Sequence, residues 1–278
     1  MSRRRWWRRL LGHRLGGIGA VLAGLLLVAA IGAPVLARDD PLGMRMTEAL
    51  APPSASHWFG TDQFGRDEWA RVLYGARLSL TVGLLSMLLA TAVGIPLGAV
   101  AGYLGGPADA VTMRVMDAVL AFPAILLAIG LVAALGPGTG SGIVAIGIVY
   151  IPVLARVTRG AVLARRGDEY VDAARAVGAS DWGILRRHIL PNSSAPVLVQ
   201  VTVGFASAVV IEAGLSFLGA GTPPPTPSWG SMLNEARQFM VVAPHVAVVP
   251  GAAISLAVLG INLLGDGMRD VLDPRLSA

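Results

Sequence analysis

The stretch LSLTVGLLSMLLATAVGIPLGAVAGYL, residues 78–104, carries no charged side chain and lies between Arg77 and Asp109. A hydrocarbon core about 30 Å thick is crossed by roughly 20 helical residues at 1.5 Å each, so this run is long enough to span a membrane. Outward from it, further runs obey the same rule at 18–35, 119–135, 143–155, 197–218 and 246–265. The run 143–155 is short for a crossing, which leaves tilt, extension through its Gly-rich start, or a re-entrant path open. The run 197–218 is interrupted once, by Glu212. With 143–155 counted, parity closes at six transmembrane helices, and the expected fold is all-α and integral to a membrane.

Composition excludes the main alternatives. Of 278 residues, 54% are apolar and 14% charged, against about 25% charged in soluble domains; the mean hydropathy is +0.66. Too few polar side chains are available to cover a globule of this size, so a soluble single-domain enzyme is excluded. The absence of Cys removes disulfides, thiolate zinc sites, iron–sulfur clusters and cysteine nucleophiles. All 22 basic residues are Arg, and without Lys there is no Walker A loop, so the chain does not hydrolyse ATP by that route. The +5 charge and pI near 10.6 would suit nucleic acid, but Arg beside long apolar runs more often orients a chain in a bilayer. No nucleic-acid partner is expected.

With the amino terminus inside, six Arg before residue 15, Arg114, seven Arg from Arg156 to Arg187, Arg269 and Arg275 all fall on the inner side. Arg38, Arg45, Arg66, Arg71, Arg77 and Arg237 fall outside. This asymmetry predicts both termini in the cytoplasm. The first run exceeds the 7 to 15 residues of a signal core, and five more follow, so it reads as a span. Trp6 and Trp7 beside the Arg cluster suit an interfacial anchor or a plain amphipathic tail. No fixed-period repeat is present. The chain divides into 1–75, with the first span and a polar outer segment, and a five-span body at 76–278. The run TPPPTP at 222–227 reads as a rigid, extended outer loop, because successive prolines fix φ.

The loop at 156–195 is far longer than the 2 to 8 residues that usually connect helices. Val171, Ala174, Val177 and Gly178 recur at helical spacing, as do Trp182, Leu185 and Ile189. Gly178, Ala179, Ser180 and Asp181 read as a break, with Ser180 or Asp181 as an N-cap. Two short surface helices are therefore expected. The first presents Ala173, Ala174, Ala176 and Gly178, small residues that admit another protein closely; an amphipathic helix on lipid headgroups, favoured by Arg175, Arg186 and Arg187, fits equally. Asp172 suits the positive end of the first helix, and Gly178 suits a left-handed turn. Pro191 reads as the end of the second helix.

Asp172-Ala173-Ala174, then Gly178, then His188-Ile189-Leu190-Pro191 resembles the EAA loop of binding-protein-dependent ABC importer permeases. Asp172 replaces the usual Glu and keeps its charge. His188 replaces the usual Ile, as in the peptide-transporting branch. FGTD at 59–62, GRD at 65–67, LYGARLSL at 73–80, EAGLSFLG at 212–219, SWG at 228–230 and NLLGDG at 262–267 are similar to the C-type permeases of dipeptide, oligopeptide and nickel importers, in the expected order. This resemblance implies a type I permease fold whose short helices couple to an ATPase. Tyr170, Asp172, Ala173, Ala174, Arg175, Gly178, Ala179, His188, Leu190 and Pro191 would form the coupling segment. The implied partners are a second, B-type permease subunit, two cytoplasmic ATP-binding subunits and an extracytoplasmic solute-binding protein. The resemblance places the chain in the bacterial cytoplasmic membrane. It implies a non-catalytic subunit that binds no cofactor, with ATP and Mg held by the ATPases.

Glu212, in an apolar run, is a gate or interface candidate by default, or, near the outer surface, a group that is solvated or paired with Arg237. The segment 59–67 reads as turn-like and polar: a contact for a partner, or a solvated cap. The scattered histidines show no carboxylate at metal spacing, so no metal site is expected. A secondary transporter working without an ATPase is the alternative function; it predicts a repeated half and paired intramembrane charges, which the sequence lacks.

Overall fold

The computed structural model describes residues 14–272. The first five Arg, Trp6, Trp7, His13 and the segment with Arg275 lie outside the described residues. In chain order the helices are α1 (Arg14–Leu36), α2 (Glu68–Leu104), α3 (Gly106–Leu120), α4 (Ala124–Leu135) and α5 (Thr139–Leu163). There follow α6 (Glu169–Ala176), α7 (Asp181–Ile184), α8 (Ser194–Phe217), α9 (Trp229–Ala236) and α10 (His245–Leu272). Five of these are long and apolar enough to cross a membrane, and α3 with α4 makes a sixth if the bent pair counts as one.

Two expected boundaries change. The run 119–135 is not one helix: α3 and α4 meet at a 90° bend across Ala121, Phe122 and Pro123. Pro123 has no N–H and disfavours helical geometry at Phe122, so α4 starts afresh there. The run 143–155 is only the uncharged middle of α5, which has 25 residues and is about 37 Å long. Arg156 and Arg159 extend that helix, paired with Asp117 and Asp109 of α3.

Small residues set the helix packing. Gly94, Gly98 and Gly102 face α5, where a Cβ would stand 2.8, 2.1 and 2.8 Å from the carbonyl oxygens of Ile151, Ala155 and Arg159. The matched spacing shows that α2 and α5 run parallel, main chain against main chain, as small residues at every fourth position permit. Val82, Met87, Ala90, Ile146, Val149 and Leu154 fill the adjoining core. Gly19 of α1 meets Leu263 and Leu264 while Gly260 meets Leu22, so α1 and α10 pair antiparallel.

One end of the bundle carries the segment 37–67 and α9, and is called here the cap end; the other carries 164–193 and is the hairpin end. At the cap end Trp229 donates its ring N–H to the Val72 carbonyl at 3.0 Å, fixing α9 to α2. The run TPPPTP turns rather than extending, with a cis bond between Pro224 and Pro225; Pro amides tolerate both isomers.

Candidate functional site

At the hairpin end, α6 and the segment from α7 to Asn192 form two short arms. Asp168 occupies the N-cap of α6 in extended geometry, and Gly178 takes φ +81°, the left-handed turn that reverses the chain where an L side chain would be strained. Ser180 caps the second arm, accepting from the Gly183 N–H at 3.2 Å. A π-helical stretch, Leu185–Ile189, carries that arm into Leu190–Asn192. Pro191 does not end the arm: the chain stays helical through Asn192, whose side-chain amide donates to the His188 carbonyl at 2.7 Å.

The arms are anchored by their apolar faces. Val171, Ala174, Ile184, Leu185 and Ile189 are buried with Ala99 of α2 and Val162 of α5, and Tyr170, Tyr103, Ala179 and Leu190 pack against them. The Tyr103 hydroxyl donates to Asp181 at 2.6 Å. The arms are thus packed directly on α2 and α5, the pair joined along the glycine stripe.

The outward face is different. Asp172, Ala173, Arg175 and Gly178 are exposed, as is His188. Two apolar side chains join them, Val177 at 84% exposure and Trp182 at 63%. Helical spacing grouped Val177 with Val171 and Ala174, and Trp182 with Leu185 and Ile189, yet both are exposed while those partners are buried: α6 ends at Ala176 and the chain reverses at Gly178. Asp172 does not cap the helix with its side chain; it accepts from Arg175 at 3.0 Å.

The cap end holds the second concentration of polar groups. Far from being a loose loop, 57–71 buries His57, Thr61, Asp62, Arg66, Asp67, Glu68 and Arg71. Asp67 caps α2, accepting from the Ala70 N–H at 2.8 Å, and its other oxygen meets His57 Nδ1 at 2.8 Å. Asp62 takes the Phe64 and Arg66 N–H groups at 2.8 and 3.0 Å. Glu235 of α9 closes the cluster, receiving Arg71 at 2.9 Å and Arg66. The hydrogen bond to Asp67 raises the His57 pKa above its usual 6.5, against the opposing effect of burial.

Asp39, His57 and Asp67 bring three donor atoms within 4.8 Å of one another, a grouping that linear spacing had not indicated. Their atoms are engaged within the chain, Asp39 by Arg45 at 2.8 Å and Asp67 by the helix cap. Glu212 is 3% exposed and accepts from the Ser216 hydroxyl at 2.8 Å. Of the alternatives read from sequence, solvation and pairing with Arg237 are not what is seen; α8 points Glu212 into the bundle. The pairing of Arg66 and Arg71 with Glu235 had no local signal, since Glu235 lies more than 160 residues from both arginines. The glycine stripe did have one, the four-residue period 94, 98, 102.

Residues 94–278 match the family described as the binding-protein-dependent transport system inner membrane component. The chain belongs to this family. Residues 3–53 also match the N-terminal TM domain of oligopeptide transport permease C. The permease is 51% identical over 269 residues to a putative peptide transport system permease protein of Brucella abortus, covering 97% of this chain and 90% of that one. It is 44% identical to the dipeptide transport system permease protein DppC of Alkalihalophilus pseudofirmus, covering 98% and 90%. It is 46% identical to the glutathione transport system permease protein GsiD of Escherichia coli O1:K1, again covering 98% and 90%. Its fold matches the inward-facing MetNI methionine ABC transporter with TM-score 0.60 at 21% identity, over 73% of this chain and 97% of that one.

The protein is thus a multi-pass permease of the inner membrane, a non-catalytic subunit of an ATP-driven ABC importer that works with other permease and ATPase subunits. The type I permease fold implied by the resemblance is the observed one.

Proposed function

We propose that the two arms at the hairpin end are the ATPase-docking element of a peptide importer, and that this end faces the cytoplasm. The observation that carries this reading is the pair Val177 and Trp182, large apolar side chains exposed at the tip of a hairpin whose other large aliphatic and aromatic side chains are buried or half-buried. Trp anchors dominate protein interfaces when they enter a pocket. Asp172, Ala173, Arg175, Gly178 and His188 are exposed with the pair, Tyr170, Ala174, Ala179 and Leu190 lie on the packed side, and Pro191 is exposed at the exit of the hairpin.

In this reading two ATP-binding subunits supply ATP and Mg, which this chain does not bind. Their closure draws together the hairpins of this permease and of a B-type partner. The Tyr103 to Asp181 bond and the packing of Val171 and Ile184 pass that motion to α2 and α5, a rigid-body step. The cap end then lies outside, where a solute-binding protein delivers a peptide or related small solute. The names of the relatives support the peptide class. The Arg distribution supports the orientation, with both termini inside.

Copurification tests the proposal. Native protein drawn from membranes brings an ATPase with it, and Trp182→Asp loses that ATPase and peptide uptake while its membrane level is unchanged. Charge reversal at Asp172 or a bulky residue at Gly178 acts in the same direction. A preparation of this chain that moves solute without nucleotide overturns the reading in favour of a secondary transporter.

A further inference from the structure

At the hairpin end a groove of about 950 Å³ opens between α5, the start of α8 and the end of α10. Val157, Ala161 and Val199 give it an apolar wall, Pro191 at the exit of the hairpin borders it, and Arg165 and Arg269 stand at its rim. No carboxylate lines it. Arg269 has no ion-pair partner among the described residues, and Arg165 reaches Asp168 only at 3.4 Å on the exposed surface. Asn192, Ser193, Ser194 and Gln200 add neutral hydrogen-bonding groups to the lining, so its formal charges are the two positive ones. Basic pockets between transmembrane helices at the cytoplasmic level are suited to anionic lipid headgroups.

We propose that this groove binds an anionic phospholipid, its phosphate between Arg165 and Arg269 and an acyl chain along Val157, Ala161 and Val199. Assignment to the inner leaflet rests on the cytoplasmic placement of the hairpin; the binding itself does not. The sign of the lining separates this ligand from cargo, since a zwitterionic peptide needs an acidic group for its ammonium and the groove offers none. Because Pro191 forms part of the border, the bound headgroup braces the exit of the hairpin against α10.

The assembled transporter, purified and stripped of lipid, is titrated by native mass spectrometry with phosphatidylglycerol or with phosphatidylcholine of the same chains. Native protein prefers phosphatidylglycerol. Arg165→Gln with Arg269→Gln weakens that apparent affinity about 30-fold, each arginine at headgroup depth giving roughly a factor of five. Phosphatidylcholine binding is unchanged, and the double Arg→Lys variant keeps most of the preference. Should the double Gln variant not assemble, Val199→Trp fills the groove without altering charge and gives the same loss. Equal phosphatidylglycerol affinity in native and variant protein overturns the proposal, and so does displacement of the lipid by a free dipeptide, which would assign the groove to cargo. Loss of the ATPase from native preparations would overturn the docking reading instead, and the lipid titration stays readable on the permease chain.

Discussion

Gly98 of α2 lies on the main chain of Ala155 in α5: a Cβ at Gly98 would stand 2.1 Å from the Ala155 carbonyl oxygen. The obstacle is backbone, which cannot rotate away. Gly98→Val therefore separates α2 from α5 at a cost of about 1–3 kcal/mol or more, read as a lower yield of folded protein and a lower detergent melting temperature. Gly130→Ala, with nothing within 4 Å of the added carbon, stays within about 0.5 kcal/mol of native. Equal behaviour of the two variants would refute the packing argument.

Trp182→Ala and Val177→Asp leave the buried side of the hairpin intact. Each should weaken ATPase association by about 30-fold or more, the scale of an interface anchor, with unchanged membrane insertion. Val171→Asp buries a charge under the hairpin and should reduce the amount of folded permease itself. Measuring ATPase capture and permease level together separates docking from folding.

Glu235 is the shared acceptor of Arg66 and Arg71, whose side chains are 3% and 1% exposed. Glu235→Ala leaves Asp62 as the one carboxylate still paired with Arg66 and Arg71, so the cost should fall at or below about 3–5 kcal/mol, that of a fully broken buried ion pair. The expected result is early unfolding of the cap end, seen as hydrogen exchange over 57–71. Native-like protection in the variant would mean the cluster contributes nothing.

His57 gives the cap a pH dependence. Its folded pKa is raised above 6.5 by the bond to Asp67. Stability from that bond is fully present below pH 6.5 and is lost as pH rises through the raised folded value. Protection of 57–67 should therefore fall as pH climbs from 6.5, and His57→Gln should flatten the profile. A profile that rises with pH in native protein would reverse the assigned sign.

The spans at 18–35, 78–104, 197–218 and 246–265 were legible because absence of charge over a bilayer's thickness is a local property of the chain. The two short arms were legible too, since 3.6-residue spacing and a Gly-Ala-Ser-Asp break announce them. The bend at Pro123 was hidden because 119–135 reads as continuously apolar, and hydropathy carries no direction. The length of α5 was hidden for the opposite reason: Arg156 and Arg159 ended the apolar count, yet each finds an acid on α3.

Sequence by itself determined that this chain lies in a membrane, that it contains no P-loop for hydrolysing ATP, and that a long polar hairpin interrupts its spans. Those are consequences of composition and of spacing within one segment. Tertiary structure alone decided which hairpin residues face outward, which glycines carry main-chain contact, and that Arg66 and Arg71 meet Glu235. Each of these depends on residues from distant parts of the chain meeting in space, and side-chain chemistry does not encode which distant partner it will meet until the helices pack.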